Sequence, residues 1–370
     1  MKVLVCAGGT GGHIYPALAA VAGLKKRGVR PEDILWLGTT GAMEEELVPR
    51  EGLRLATLAG GAVVSSVPLP QRIMNVGKIG WSVGTASNHI RRFRPDVMFM
   101  TGGYAAASAS VAAWLHRLPI GIYLPDVEPG TTIRFTTPLA SKIGCTSEAS
   151  QAYIPASKMV VTGYPVRPDL RAATQMTQTE ALAEFQLLPN RPTLFVFGGS
   201  RGAWAINEAL IKALPRLLEQ VQVIHITGTL TWDKVNEQAA TLPGRLRAYY
   251  RPFAYLHEQM GAAFRAADLV LARSGASMLG ECPAFGLPAV LVPLTFAWRY
   301  QKVNADYLTE RGAAVQTTDE ALSEGLYDIV MPLLQDEARL GQMRAAATAL
   351  DKPDATDRLA QMILDLGGRG

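Results

Sequence analysis

One pattern occurs twice in this chain and narrows the folds open to it. The stretch "VLVCAGGTGGHIYPALA", Val3 to Ala19, runs from a short apolar strand through a glycine-rich turn into a helix start. "PTLFVFGGSRGAWAINEALIKAL", Pro192 to Leu214, does the same. A strand that feeds a helix in this way begins a βαβ unit, and repeated units make a parallel sheet covered by helices. At 370 residues the chain is long for one average domain, so two α/β halves are expected. The two turns differ in wording, which makes any duplication structural rather than a close sequence repeat.

The rest of the chain keeps this alternation. "DILWLG", "VMFMTGG", "PIGIYL" and "KIGCTS" read as strands of the first half, and "AMEEELVPREG" and "ASASVAAWLHRL" as helices between them. "KKRG" closes the first helix with basic residues and then Gly28. Pro165 and Pro168 in "VVTGYPVRPDL" suit an interdomain connection. Beyond it, "VQVIHITG", "ADLVLARSG" and "AVLVPL" carry strands and "YQKVNADYLTERG" a helix. The expected domains are residues 1–164 and 165–345, with the closing helix within 346–370 packing back on the first.

Composition narrows the function classes. Hydrophobic residues make up 48% and charged residues 18%, which supplies a large core and argues against disorder. A net charge of +4 is too mild to argue for nucleic acid, and it suits an anionic membrane surface or a phosphorylated substrate. Cys6, Cys145 and Cys282 lack metal-ligand spacing and read as free thiols of a reducing compartment. The first strand begins directly after Met1, so no leader is expected. No apolar run approaches the roughly 18 residues of a membrane span.

Each glycine turn leaves backbone amides at a helix start, where anions bind through those groups and the helix dipole. For Gly8-Gly9-Thr10-Gly11-Gly12 a dinucleotide is the first candidate. Its fingerprint is G-x-G-x-x-G, with an acidic residue ending the next strand. The window Gly9 to Ile14 lacks the final glycine, and "WLGTTG" ends the next strand without a carboxylate. Another phosphate-bearing ligand and a tight turn with no ligand both stay open. In the second turn Ser200 adds a hydroxyl and Arg201 a charge, although an exposed arginine is ordinary.

In "ARSGASMLGECPAFGLPAVLVPL" a strand ends at Arg273, a turn follows, and a helix carries Glu281 among small and apolar residues. A carboxylate there is costly unless paired or hydrogen-bonded. The two hydroxyls of a ribose would satisfy it; so would a salt bridge with Arg273. The next loop brings Gln301 and Asn304 to the carboxyl edge of the sheet, where ligands bind in open α/β folds. Both could read sugar hydroxyls or serve as surface and capping residues. Residues Arg72 to Arg94 mix Ile73, Ile79 and Trp81 with Arg91, Arg92 and Arg94. That mixture suits a patch on anionic lipid, or an ordinary amphipathic helix with a solvated basic end.

In this order, "AGGTGGHIYPALA", "TGGYAAASASVAAWL", "FGGSRGAWAINEAL" and "ADLVLARSGASMLGECPAFGLPAVLVPL", with "YQKVNA" after them, resemble the MurG N-acetylglucosaminyltransferases of peptidoglycan synthesis. The likeness covers nearly the whole chain. It implies the GT-B architecture, two Rossmann-like parallel-sheet domains facing a cleft. It implies inverting transfer of GlcNAc from UDP-GlcNAc to the muramoyl C4 hydroxyl of lipid I, forming lipid II, with neither metal nor cofactor. By the resemblance the donor lies on the C-terminal half. Ser200, Ala276, Ser277 and Met278 would meet its diphosphate, Glu281 the ribose and Gln301 the sugar, with Arg167 near the nucleotide. The acceptor diphosphate would lie on Gly9, Thr10, Gly11, Gly12 and His13, and on Gly102, Gly103 and Tyr104. The resemblance also implies a peripheral position on the cytoplasmic face of the membrane. Ile73, Ile79, Trp81, Arg91 and Arg92 would face lipid, with Trp114 nearby. Other cell-wall synthesis proteins would be partners, and nucleic acid would not.

His13 titrates near neutrality and is placed to take the acceptor's proton; its alternative is to hold the loop or a phosphate. Where the family reads "HEQN" this chain reads "YLPD", Tyr123 to Asp126. Asp126 thus replaces an asparagine and becomes a second candidate base, and an altered acceptor stays open. A GT-B transferase with a different lipid-linked or glycolipid acceptor is the nearest competing reading. A non-catalytic nucleotide-sugar binding protein is another. A nucleotide-dependent oxidoreductase is a third, against which both turns lack the fingerprint.

Overall fold

The computed structural model describes residues 1–9, 11–58, 69–294 and 299–368, without the side chains of 69–79, 104 and 299. The chain divides into two units: Met1–Arg167 together with Lys352–Gly370, and Pro168–Asp351. The division thus falls at 167/168 where the sequence placed it at 164/165. The return to the first unit begins at 352 rather than 346, because residues 346–350 finish a helix of the second unit, Glu337–Leu350.

The first unit holds β1 (Val3–Ala7), β2 (Ile34–Thr39), β3 (Arg54–Leu58), β4 (Val97–Gly102), β5 (Ile120–Leu124), β6 (Lys142–Cys145) and β7 (Met159–Val161). They form one sheet in the order β3-β2-β1-β4-β5-β6-β7, and every pairing is parallel. The second unit holds β8 (Thr193–Phe197), β9 (Gln222–Ile226), β10 (Tyr250–Phe253), β11 (Leu269–Ala272), β12 (Ala289–Leu291) and β13 (Ala314–Gln316). Its order, again all parallel, is β10-β9-β8-β11-β12-β13. In each sheet the chain runs outward from one central strand, then returns to that strand's other side. The central pairs β1/β4 and β8/β11 are therefore switch points, whose carboxyl ends open a crevice for ligands.

Successive side chains of a strand face opposite sides of the sheet, and both sides are dry. Leu4 and Cys6 pack with Met98, Met100, Ile90 and Ala109, while Val3 and Val5 pack with Trp36, Phe99, Ile14 and Leu24. The closing helix Ala355–Gly367 completes this second layer with Leu359, Ala360, Ile363 and Leu366. It crosses the helix Gly11–Lys26 closely: a Cβ on Gly23 would stand 3.0 Å from that of Ala360. In the second unit, Leu194 and Val196 face the helices Trp204–Leu217 and Asp319–Leu334. Phe195 and Phe197 on the other side meet Phe264 edge-on, at centroid distances of 5.3 and 5.7 Å. The three cysteines are free and buried. Burial pushes their thiols up, so they act as small apolar filler.

Candidate active site

The two glycine turns lie at the two switch points. In the first unit β1 ends at Ala7, and Gly9 then takes a φ of +87° that an L side chain resists. At the end of β4, Gly102 and Gly103 have φ of +128° and +99°. The two segments meet. A Cβ on Gly103 would fall 2.6 Å from the Gly8 carbonyl oxygen, and one on Gly102 would fall 2.8 Å from the His13 ring. Glycine at both positions is thus a condition of close approach. His13 is half-buried between these segments. Its carbonyl accepts from the Thr101 hydroxyl at 2.7 Å. Burial holds its imidazole below the usual value, while a hydrogen bond with the Gly8 backbone and the charge of Glu44 oppose that shift. The ring is accordingly poised neutral near pH 7, the state a proton acceptor needs.

The structure sorts the remaining candidates of this unit. Thr10 and the side chains of Tyr104, Ile73 and Ile79 lie outside the described residues. Gly11 and Gly12 open the helix Gly11–Lys26. Asp126 is half-buried just past β5, on the same sheet edge and two strands from β1. Tyr123 is no site residue: it is fully buried, and its hydroxyl joins Thr146 at 2.8 Å and the Gly163 carbonyl at 3.2 Å. Arg167, expected beside a nucleotide, ends the first unit with its guanidinium stacked over Tyr15, 4.6 Å from the ring centre. The helices Leu69–Phe93 and Tyr104–Leu115 pack together. They leave Trp81 76%, Trp114 56% and Leu115 61% exposed, with Arg91 and Arg92 also in solvent.

In the second unit a cavity of about 400 Å³ opens at the carboxyl ends of β8, β11 and β12. Gly198, Gly199, Gly202 and Trp204 line one side; Arg273, Ser277, Met278 and Gln301 line the other. Ser277 immediately precedes the helix Met278–Phe285, and its side chain accepts no hydrogen bond from the helix-start amides. Glu281 lies four residues beyond Ser277, hence on the same helix face, and is half-buried. Ala276 belongs to the same turn, and Ser200 is exposed on the glycine turn, outside the lining. The side-chain carbonyl of Gln301 accepts from the Leu294 amide at 3.1 Å, which fixes the amide group at the cavity. Asn304 does not read a sugar: it is fully buried and donates to the Ser274 carbonyl at 3.2 Å.

Two lining residues escaped the sequence reading. The sequence offers Arg273 only as a partner for Glu281; it pairs instead with Asp319 at 2.8 Å and lines the cavity. Trp204, the first residue of its helix, lines the cavity under Lys234, whose ammonium sits 3.5 Å from the ring centre. A strand-terminal arginine before a glycine turn was the available signal for the first; Trp204 had none.

A neutral buried network braces this turn. Asn207 donates to the Thr227 carbonyl at 2.8 Å and to the Thr231 hydroxyl at 2.9 Å. Its Oδ1 lies 3.0 Å from His225 Nε2, and His225 Nδ1 lies 2.7 Å from the Tyr250 hydroxyl. Burial pushes His225 down to about 3, so the imidazole is neutral.

Two parallel-sheet units, each with a glycine turn at its switch point, make the two-domain GT-B architecture, and the family matches of both units make this chain a glycosyltransferase of that class. Residues 3–144 match the glycosyltransferase family 28 N-terminal domain and residues 193–359 the family 28 C-terminal domain. Within that class the chain belongs to the MurG family. It is 37% identical to the UDP-N-acetylglucosamine–N-acetylmuramyl-(pentapeptide) pyrophosphoryl-undecaprenol N-acetylglucosamine transferase of Desulforudis audaxviator, over 100% of both chains. To the protein of the same name in Moorella thermoacetica it is 38% identical over 98% of each. Among solved structures it is similar to Acinetobacter baumannii MurG, with a TM-score of 0.76 and 25% identity over 98% of this chain and 99% of that one. The UDP-GlcNAc 2-epimerase of Neisseria meningitidis shares the fold at a TM-score of 0.67 and 14% identity, over 100% of both chains.

Proposed function

We propose that this enzyme transfers GlcNAc from UDP-GlcNAc to the muramoyl C4 hydroxyl of lipid I, forming lipid II with inversion. The observation that carries the reading is the cavity at the β8/β11 switch point, in a chain whose full-length relatives bear that activity in their names. The donor diphosphate lies against the Gly198–Gly202 turn and the helix start at Ser277 and Met278, with Ser200 and Ala276 at the edges of those turns. Glu281 accepts from the ribose hydroxyls, and Gln301 faces the sugar. Bond cleavage leaves negative charge on UDP; helix-start amides and the Arg273 guanidinium meet it without a metal. The acceptor oxygen attacks the anomeric carbon directly, and inversion follows.

The first unit takes the acceptor. Its diphosphate rests on the turn from Gly9 to His13 and on Gly102–Gly103, and His13 accepts the C4 hydroxyl proton, with Asp126 as the alternative base. Among the described residues no helix is long and apolar enough to cross a membrane. The exposed Trp81, Trp114 and Leu115 beside Arg91 and Arg92 seat the enzyme on the anionic cytoplasmic face, where a lipid-linked acceptor is presented. Incubation with lipid I and labelled UDP-GlcNAc should yield labelled lipid II; absence of product sinks the proposal. A different lipid-linked acceptor is the second reading, favoured by Asp126 standing where the family carries an asparagine. Product from another undecaprenyl or glycolipid acceptor alone would establish it.

A further inference from the structure

Glu44 opens the short helix Glu44–Arg50, yet its side chain turns inward and is fully buried below the first glycine turn. Its Oε1 accepts from the Thr39 amide at the end of β2, at 2.6 Å, and its Oε2 from the Gly9 amide at 3.1 Å. The backbone is shaped around it. A Cβ on Gly8 would lie 2.0 Å from Oε1, and one on Gly38 would lie 2.5 Å from its Cγ. Gly8 in turn touches Gly103, and Gly102 touches the His13 ring. Three strand ends, β2, β1 and β4, are thus connected through this carboxylate.

Burying a carboxylate costs several kcal/mol unless hydrogen bonds compensate it, and its charge works against an anion on the turn above. Its compensating property is geometric. Two acceptor oxygens in one plane satisfy two amides on different segments, and no other side chain of that length does so. Glutamine would turn an NH2 toward one of the two N–H groups, and aspartate is one carbon short. The charge also favours a protonated His13.

We propose that Glu44 is a positioning residue for transfer: it locks Gly8 and Gly9, and through Gly8 the His13 ring, in the geometry that meets the acceptor hydroxyl. The inference rests on the reading of this turn as the acceptor side.

The test compares the full chain with its Glu44→Gln variant. The readouts are turnover of lipid I with UDP-GlcNAc, UDP affinity, and hydrogen exchange of the Gly8–Ile14 amides. Misplacement of a reacting group by about 1 Å costs on the order of 100-fold in rate. That is the kcat loss expected, with UDP affinity unchanged and faster exchange in the segment. Gly38→Ala, whose methyl displaces the Glu44 side chain from outside the turn, should give the same split. Parental kcat in a folded Glu44→Gln variant overturns the proposal; where that variant does not fold, parental kcat in Gly38→Ala does so. A rate loss matched by an equal loss of UDP affinity also overturns it, because a general destabilisation would act on both units. A parental chain that binds UDP-GlcNAc but makes no lipid II refutes the acceptor reading instead, and hydrogen exchange then decides whether Glu44 locks the turn.

Discussion

The two glycine turns occupy equivalent places in their sheets and differ in what lies beneath them. Under the first is a charged carboxylate, Glu44, that ties down backbone amides. Under the second is a neutral set of Asn207, His225, Thr231 and Tyr250, with the Arg273 guanidinium at the cavity. The second turn has neutral groups beneath it and Arg273, paired with Asp319, at its cavity, so no buried anion opposes its helix-start amides there, which suits a diphosphate that gains charge as it leaves. The first gives up part of that attraction and gains a fixed imidazole. On the function proposed above, the same backbone device would meet a leaving diphosphate in one unit and hold a proton acceptor in place in the other.

The sharpest way to break this comparison is at His13. His13→Ala should lower kcat by about 10²- to 10⁴-fold, the range for loss of a general base, with little change in the UDP-GlcNAc KM. Steady-state kinetics of His13→Ala beside Asp126→Asn check it; a larger loss in the latter moves the base to β5. Next comes the neutrality of the second turn. The folded chain protonates His225 only near pH 3, whereas an unfolded imidazole does so near 6.5. The unfolded state therefore binds more protons between those values. Stability is full above about 6.5 and falls toward 3 with a limiting slope of about 1.4 kcal/mol per pH unit. Denaturant melts near neutral and at mildly acidic pH should show the slope, and a His225→Gln variant should flatten it. Glu281→Ala should raise the UDP-GlcNAc KM by roughly 10-fold, the loss of a charge-assisted hydrogen bond, with kcat nearly kept; an unchanged KM removes the ribose role. The smallest effect is expected from a chelator: turnover in excess EDTA should equal the untreated rate, and a loss restored by a divalent cation would bring a metal into the donor site.

Much of the architecture was legible in the residues. β1, β2, β4, β5 and β8, β9, β11, β12 lie inside the sheets with almost every residue buried. Strands covered on both faces are written as continuous apolar runs. The edge strands β3, β7, β10 and β13 were not recognised. They are half-exposed and carry mixed residues such as "RLATL" and "YRPF", and the proline of β10 is tolerated because that strand is an edge. The glycine turns and the Ser277 helix start were equally readable, since they rest on local backbone chemistry. Glu44 was not. It is the first of three consecutive glutamates, and only the packing of β2 against β1 tells which one turns inward. Asn304 failed for the same reason, as a polar residue whose burial depends on a distant turn.

The closing helix Ala355–Gly367 has a consequence in time. A ribosome adds about 5–20 residues per second, so the whole of Pro168–Asp351 occupies roughly 10–40 s of synthesis between the two parts of the first unit. Through that interval the layer of Val3, Val5 and Phe99 lacks Leu359, Ile363 and Leu366. The second unit, continuous in the chain, can close first. The first unit emerges early and matures last, so its half-covered sheet is the surface that a nascent-chain chaperone would meet.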